Sequence, residues 1–475
     1  MRLRRRSVLK FMSYGAAGMA AVGLRPRTAS AKKSTLIERD VCVIGGGSSG
    51  TFTAVSLRDA GKSVVVLERK QRMGGHTETF NDPTTHIPVD IGVEVLHDLP
   101  VVNDYFARFG VPLLAISTGS LGGQQANVDF RTGHVPSNYN PPSQAEVNQA
   151  LGFYFGYLQQ LKATYYDLDS GFDLPTPIPP DLLLPFADFV TKYSLGALVP
   201  TAFAFGQGLG NILSMPTVYV LKLFSAQVLS SLFAGKFLLC PTGNSTIYEK
   251  ATQFLGEDVV FGAEVERVQR HAKGVTVHVN TPDGRVVIQA KKLVVTCPPT
   301  LSNLRNFDLD GLEAWTFGRW RSNFYWTGLL RLEGVPAGLT VANVGRDTLY
   351  NLPPLPGTYG LNPTPVPGLW KVKYGSGEFV EDCEVQERIV NDVRRLSDPT
   401  FFPHHPKVLE FTEFSAHVPF EMRVSSQEIA NGFYTTLGSL QGRNHTYYNG
   451  AAFHVHDSSL LWQFSKNHVL PMILT

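Results

Sequence analysis

The run Val41-Cys-Val-Ile-Gly-Gly-Gly-Ser-Ser-Gly50 passes from apolar residues straight into glycine and serine. Such a run suits a strand that stops on a tight turn and restarts as a helix. Glu38 to Gly50 is predicted as a buried strand entering the turn. Thr51 to Ala60 follows as a helix closed by Gly61, and Ser63 to Leu67 as a second buried strand. The continuous apolar stretch Val64-Val-Val-Leu67 is what a parallel sheet covered on both faces requires. Within this βαβ unit Gly45, Gly47 and Gly50 have Gly-x-Gly-x-x-Gly spacing, with Ser48 and Ser49 at the helix start. Gly45 permits the tight turn and Gly47 lets a pyrophosphate approach the backbone, while the helix N-terminus supplies unpaired N–H groups. Glu68 closes the second strand, where a carboxylate accepts hydrogen bonds from a ribose hydroxyl pair and disfavours a 2′-phosphate; Arg69 follows it. By itself the unit would hold NAD as readily as FAD.

A chain of 475 residues with 43% apolar, 11% aromatic and 17% charged residues can bury a large interior, divided into two or three units. A formal charge of +2 gives no support to a nucleic-acid surface. Cys42, Cys240, Cys297 and Cys383 lack CxxC spacing, so neither a zinc site nor a disulfide framework is indicated, and they are expected as small buried side chains. The N-terminus differs in kind. Arg5-Arg6-Ser7-Val8-Leu9-Lys10, the apolar run Phe11 to Leu24 and Ala29-Ser30-Ala31 read as an export signal over residues 1–31, resembling the twin-arginine type. The apolar run is shorter than the roughly 20 residues that span a bilayer, so no stable membrane span is expected and the mature chain is placed outside the cytoplasm. Asn244 and Asn444 head formal glycosylation sequons and are expected to be buried and unmodified.

Thr77 to Val93 reads as two alternating strands around Asn81-Asp-Pro-Thr-Thr85. Residues 101–237 turn to helical periodicity broken by prolines, with the Pro175–Pro180 linker and a nearly charge-free stretch from Leu182 to Lys222. Alternation returns from Asp258 to Pro299, through Val265-Glu-Arg-Val268, Val275–Val279, a Pro282-Asp-Gly284 turn and Leu293-Val-Val-Thr296. Residues 301–438 mix strands such as Tyr325 to Leu332 with a helix at Val385 to Leu396, and the tail from Thr446 reads as strand, turn and helix.

The loop Arg72-Met-Gly-Gly-His-Thr77 directly follows the second strand. Gly74 and Gly75 permit another close approach to phosphate, and His76, as a cation or a hydrogen-bond donor, can offset its charge. This loop resembles the Gly-Gly-[Arg/Lys/His] signature of the flavoprotein amine oxidase superfamily, which implies FAD. The resemblance continues along almost the whole mature chain. It implies cofactor contacts at Thr77, at Gly92, Val93 and Glu94 beside the flavin ring, and at Val265, whose backbone would meet the adenine. In the tail it implies Gly450 and a helix starting near Asp457 and Ser458, whose N–H groups would face the flavin N1/O2 edge. The fold implied is α/β: an FAD-binding Rossmann-like domain, parallel sheet plus β-meander, from 36–100, 238–300 and 439–475, with an inserted α+β substrate domain from 101–237 and 301–438.

Leu184-Pro-Phe-Ala-Asp-Phe189, Ala204-Phe-Gly206, Tyr219-Val-Leu-Lys222 and Leu440-Gln-Gly-Arg443 are similar to the branch of β-cyclopiazonate dehydrogenase and polyunsaturated fatty acid isomerases. That branch implies an FAD enzyme taking a hydride from a C–H of a small hydrophobic molecule onto flavin N5, by desaturation or oxidative cyclisation. The alternatives are a double-bond isomerase of unsaturated fatty acids with no net redox change, and a flavin-binding protein without catalysis. No second Gly-x-Gly-x-x-Gly follows a strand, so dioxygen or another acceptor, rather than NADPH, is expected to reoxidise it. Phe109 to Gly123 lacks the cation an isomerase would use for a carboxylate, and no aromatic pair framing the flavin is evident. His454 and His456 are the candidate catalytic residues, because an imidazole at the flavin edge can relay a proton or bond a carbonyl. Phe203, Phe205 and Tyr448 are candidates to line the substrate cavity. No metal constellation is visible.

Overall fold

The computed structural model describes residues 35–117 and 124–475. The expected export signal at 1–31 lies outside them. The first strand, β1 (Thr35–Ile44), runs into helix α1 (Ser48–Asp59) and on into β2 (Val64–Glu68), which is buried along its whole length. β1 is flanked in parallel by β2 and by the strand Gly284–Val295, and β2 by Val259–Phe261. The strand Gly284–Val295 then serves two partners along one edge. Its first part pairs antiparallel with Gly274–Thr281, itself paired with Glu264–His271, and its last residues pair in parallel with Thr446–Tyr448. A parallel sheet and a β-meander are thereby one surface, as the tail and the βαβ unit required. The Asn81–Thr85 turn joins the short antiparallel strands Thr79–Asn81 and Pro88–Asp90, with Asp82 accepting from Thr84 N and Thr85 N.

A second sheet has the order Lys407–His417, Phe324–Glu333, Leu369–Ser376, Gly357–Pro363, Thr340–Asn343, Gln125–Val128, antiparallel except for the last pair. The helix Asp382–Arg395 packs Val385, Ile389 and Val393 against it through an i, i+4, i+8 stripe. A run of helices fills 144–233, and others include Pro100–Arg108, Ser245–Leu255, Gly311–Phe317 and Ser458–Phe464. Two strands interrupt the helical texture expected there: Leu114–Ser117 pairs with Lys236–Leu239, and Gln125–Val128 joins the second sheet. Both are too short to carry a clear period. Among the described residues no helix is long and apolar enough to cross a membrane. The four cysteines are unpaired; Cys42 and Cys240 are buried as expected, whereas Cys297 is half-buried and Cys383 exposed. Asn244 is buried, but Asn444 is exposed, with its amide on Asp310.

Candidate active site

Glycine at three places lets backbone approach backbone around the α1 N-terminus. A Cβ on Gly50 would lie 1.9 Å from the Gly45 carbonyl oxygen, and one on Gly75 would lie 2.9 Å from Gly47 Cα. On Gly92 it would fall 1.7 Å from the His76 carbonyl oxygen. The α1 N-cap is Gly47, and no side chain caps the helix, so its leading N–H groups are left for a ligand. Ser48 donates to Ser458 Oγ at 3.0 Å, and Thr77 to the Tyr248 hydroxyl at 3.3 Å. The Tyr248 hydroxyl also lies against Ser48 and Ser458. Four segments far apart in sequence, those of Ser48, Thr77, Tyr248 and Ser458, thus close one polar cradle. Tyr248 had no sequence signal, since nothing in its spacing separates it from an ordinary helical core residue. Glu68 is buried, accepting from Gly46 N at 2.7 Å and from Lys70 N at 2.8 Å, with lone pairs left for a ribose. Arg69 beside it is exposed. Gly450, at φ +108°, follows the buried Asn449, which donates to Ser465 Oγ and Thr53 Oγ1. A cradle that a single methyl would fill, an uncapped helix start and a free-sided carboxylate fit a dinucleotide pyrophosphate and ribose, and so fit FAD.

From the cradle a row of rings leads inward. His76 stacks on His417 with centroids 4.0 Å apart, Phe420 stacks on His456 at 4.0 Å, and His417 and Phe420 stand 5.9 Å apart. Tyr325 lies 5.1 Å from Phe420 and Phe203 5.2 Å from Tyr359, which in turn stacks on Tyr325. Burial takes His76 well below the usual histidine range, pushes His417 down to about 3 and His456 down to about 4. His76 is therefore neutral, not the cation that could offset phosphate charge. Lys70 and Arg72 stand nearby, both paired with Glu78. Phe420 was missed because it sits between His417 and Glu421 on a strap without repeat or spacing. Both ring nitrogens of His417 are buried without a partner among the described residues.

His454 is buried, and its Nδ1 meets Lys222 Nζ at 3.0 Å. Lys222 also donates to the carbonyls of Leu168 and Gly171, each at 2.7 Å, and burial pulls its ammonium down to about 7. His456 Nε2 lies 3.0 Å from the Phe420 carbonyl oxygen and 3.4 Å from Glu421 Oε2. Burial pushes Glu421 up to about 8, so the Glu421–His456 contact joins two neutral groups near pH 6. Neither Lys222 nor Glu421 was assigned a role from sequence.

Other expected contacts go elsewhere. Asp457 caps the last helix itself, accepting from Leu460 N at 2.9 Å, and pairs with His97 Nε2 at 3.2 Å. Burial opposes both charges, yet each partner holds the other ionised, Asp457 lowered and His97 raised. That helix, Ser458–Phe464, therefore does not offer all its leading N–H groups outward. Glu94 turns from the cofactor side to Lys371 and Lys373 of the second sheet, which overcome its burial and bring it down to about 2. The Val93 and Val265 carbonyls each accept from an asparagine side chain, Asn244 and Asn306, at 2.8 and 2.7 Å, with a second lone pair left on each. Phe205 packs between Phe224 and Phe237, away from the ring row. Tyr448 is no cavity residue: it is fully buried, and its hydroxyl donates to Glu313 Oε1 at 2.8 Å. Among the described residues no cluster could hold a metal ion.

The family model described as flavin containing amine oxidoreductase matches residues 48–322. The FAD-dependent oxidoreductase oblC of Cochliobolus heterostrophus is 37% identical over 486 residues, 99% of each chain. The β-cyclopiazonate dehydrogenase of Aspergillus oryzae is 35% identical over 436 residues, 90% of this chain and 92% of its own. Among solved structures, the CLA-producing fatty acid isomerase from P. acnes aligns with a TM-score of 0.72 at 19% identity, covering 91% of this chain and 98% of its own, a likeness of fold.

Proposed function

The chain belongs to the flavin-containing amine oxidoreductase family and is an FAD-dependent oxidoreductase, and from that premise we propose that it oxidises a small hydrophobic metabolite at a C–H bond, by desaturation or oxidative cyclisation as in a β-cyclopiazonate dehydrogenase. FAD, when bound, supplies the acceptor for the hydride. The residues around it bind and orient. Gly47, Gly75, Ser48 and Ser458 shape the phosphate cradle, and Glu68 has the lone pairs for a ribose.

The observation that carries the reading is the row of uncharged rings leading from His76 through His417 and Phe420 to His456. Neutral rings exclude water and leave no fixed charge to repel an apolar substrate. No serine or cysteine nucleophile stands in that row, which suits hydride transfer. His454, its Nδ1 engaged by Lys222, can hold a proton on Nε2, and His456 holds one toward the Phe420 carbonyl. Export by a twin-arginine-like signal, with dioxygen as electron acceptor, belongs to the same proposal.

The test is spectroscopic. The purified protein should be yellow, bleach anaerobically with substrate and release peroxide on admission of air. Bleaching and recovery without net electron release would mean isomerisation instead. A colourless protein whose properties Gly47→Glu leaves untouched would refute the reading.

A further inference from the structure

The strap from His417 to Arg423 is held from both sides. Phe420 N donates to the Asn323 carbonyl at 2.8 Å, Asn323 N donates to the Glu421 carbonyl at 3.1 Å, and Met422–Arg423 pairs with Arg321–Ser322. Gly208 backs the Phe420 ring so closely that a Cβ there would lie 2.2 Å from it. Phe420 and Glu421 are thus fixed where they meet His456.

His456 Nε2 lies 3.0 Å from the Phe420 carbonyl oxygen, which can only accept. The proton of the neutral ring is therefore on Nε2, and Nδ1 is left with the lone pair. Nδ1 makes no hydrogen bond among the described residues. Glu421 Oε2 stands 3.4 Å from the same Nε2, an acceptor within reach of the proton held there. The pair is not sealed: the side chains of His456 and Glu421 stay 14% and 12% exposed, whereas His417 and His454 are closed off, each 2% exposed. Two residues beyond His456, Ser458 meets Ser48 at the cradle, and the ring row leads back from Phe420 to His76 in the Gly-Gly-His loop. The free lone pair is thus beside the cofactor cradle, tied to two of its walls.

Other ionisable groups face the pair. Lys222 and Arg423 act on Glu421, with Tyr219 and Tyr434 near it, and His76 and His417 face His456. Burial outweighs the two cations and holds the Glu421 carboxyl at about 8.

We propose that His456 and Glu421 form a proton relay for the substrate: Nδ1 takes a proton as the adjoining carbon gives up its hydride, and Nε2 passes its own proton to the Glu421 carboxylate. Two electrons leave the substrate with the hydride, which FAD accepts, and a double bond forms between the two atoms that lost hydrogen. The substrate class follows. The hydride-bearing carbon must adjoin an O–H, an N–H or a C–H next to a carbonyl, because a plain hydrocarbon C–H is too weak an acid for an imidazole. The inference rests on the oxidoreductase reading above and adds the path of the proton to it.

Nitrogen NMR of the histidine-labelled, FAD-loaded enzyme tests the relay without a substrate, His456 being assigned by the signal lost in His456→Phe. Nε2 should carry the proton and Nδ1 none from about pH 6 to 9. The Nε2 resonance should shift as the infrared band of the protonated Glu421 carboxyl fades around pH 8, and Glu421→Gln should remove both band and shift. Two probes then test Nδ1. The phenol 4-propylphenol, with an O–H to give, should bind about fivefold tighter than 4-propylanisole, which has none, and should move the Nδ1 resonance; about fivefold corresponds to about 1 kcal/mol, one net hydrogen bond. His456→Phe should erase that preference. A proton on Nδ1, an Nε2 resonance indifferent to Glu421, or equal binding of the two probes overturns the inference. Should His456→Phe not fold, His456→Leu serves in its place. A chain that purifies without FAD refutes the oxidoreductase reading, whereas an FAD-loaded chain whose His456 spectrum ignores Glu421 refutes only this one.

Discussion

Lys222 Nζ meets His454 Nδ1 across 3.0 Å with both side chains buried. The Leu168 and Gly171 carbonyls take its other two N–H bonds, so all three ammonium donors are engaged. A donor at Nδ1 forces the proton of the neutral imidazole onto Nε2. That Nε2 is buried without a partner among the described residues. Lys222 is thus a positioning residue for His454.

Lys222→Met should orphan the Leu168 carbonyl, leave Gly171 to the Tyr166 hydroxyl and release the imidazole tautomer. The expected loss is about 1–3 kcal/mol in urea unfolding, from the buried Leu168 carbonyl left unpaired. Nitrogen NMR of labelled histidine should then show a mixed tautomer at His454 where the wild type shows one. An unchanged His454 spectrum in a folded variant would remove Lys222 from this role.

Gly75→Ala places a Cβ 2.9 Å from Gly47 Cα, at a backbone φ of +60°. The cradle closes where phosphate must lie. FAD content of the purified variant, read from its visible absorbance, should fall at least about tenfold, since about 1.4 kcal/mol of lost binding suffices for that. Gly61→Ala is the control: its φ is +77°, but nothing lies within 4 Å of the added carbon. It should lose about 1 kcal/mol of stability and keep its flavin.

How far the sequence could be read follows from these cases. Gly45, Gly47 and Gly50 were legible because a glycine forced by close backbone approach leaves a local signature, and β2 was legible because a buried parallel strand is a continuous apolar run. Glu94 could not be read, since its partners Lys371 and Lys373 lie far along the chain on another sheet. Phe420, Glu421 and Arg423 were silent for the same reason: their meaning comes from what the strap touches. Asp457 was read as opening a helix toward the flavin, and the alternative of capping its own helix is a local geometry that composition does not distinguish.

Tyr448→Phe separates core from cavity. The hydroxyl donates to Glu313, which Arg270 still holds at 2.5 Å in the variant's absence of that bond. The change should cost about 1 kcal/mol of stability, the usual value of one buried hydrogen bond. The rate of anaerobic flavin bleaching should not move. A slowed rate with unchanged stability would return Tyr448 to the substrate site.

The Glu421–His456 contact gives the pH dependence its shape. Burial lifts Glu421 from 4.5 to about 8, so from pH 4.5 upward the folded chain keeps a proton that the unfolded chain has lost. Stability from this group therefore falls as pH rises across that window. Burial lowers His456 from 6.5 to about 4, so below pH 6.5 the unfolded chain gains a proton the folded chain refuses, and stability falls again toward acid. The two slopes cancel between pH 4.5 and 6.5, which leaves a plateau there with both groups neutral, and stability falls above pH 6.5. Glu421→Gln keeps a neutral hydrogen-bonding group and cannot ionise. Urea unfolding from pH 5 to 9 should show the alkaline decline of about 2 kcal/mol flattened in this variant, and an acid decline of about 2 kcal/mol from pH 6.5 to 5 exposed, given about 1.4 kcal/mol per pKa unit. Parallel profiles for wild type and variant would show that Glu421 ionises in the fold as it does in water, and the neutral ring row would then end in a charge.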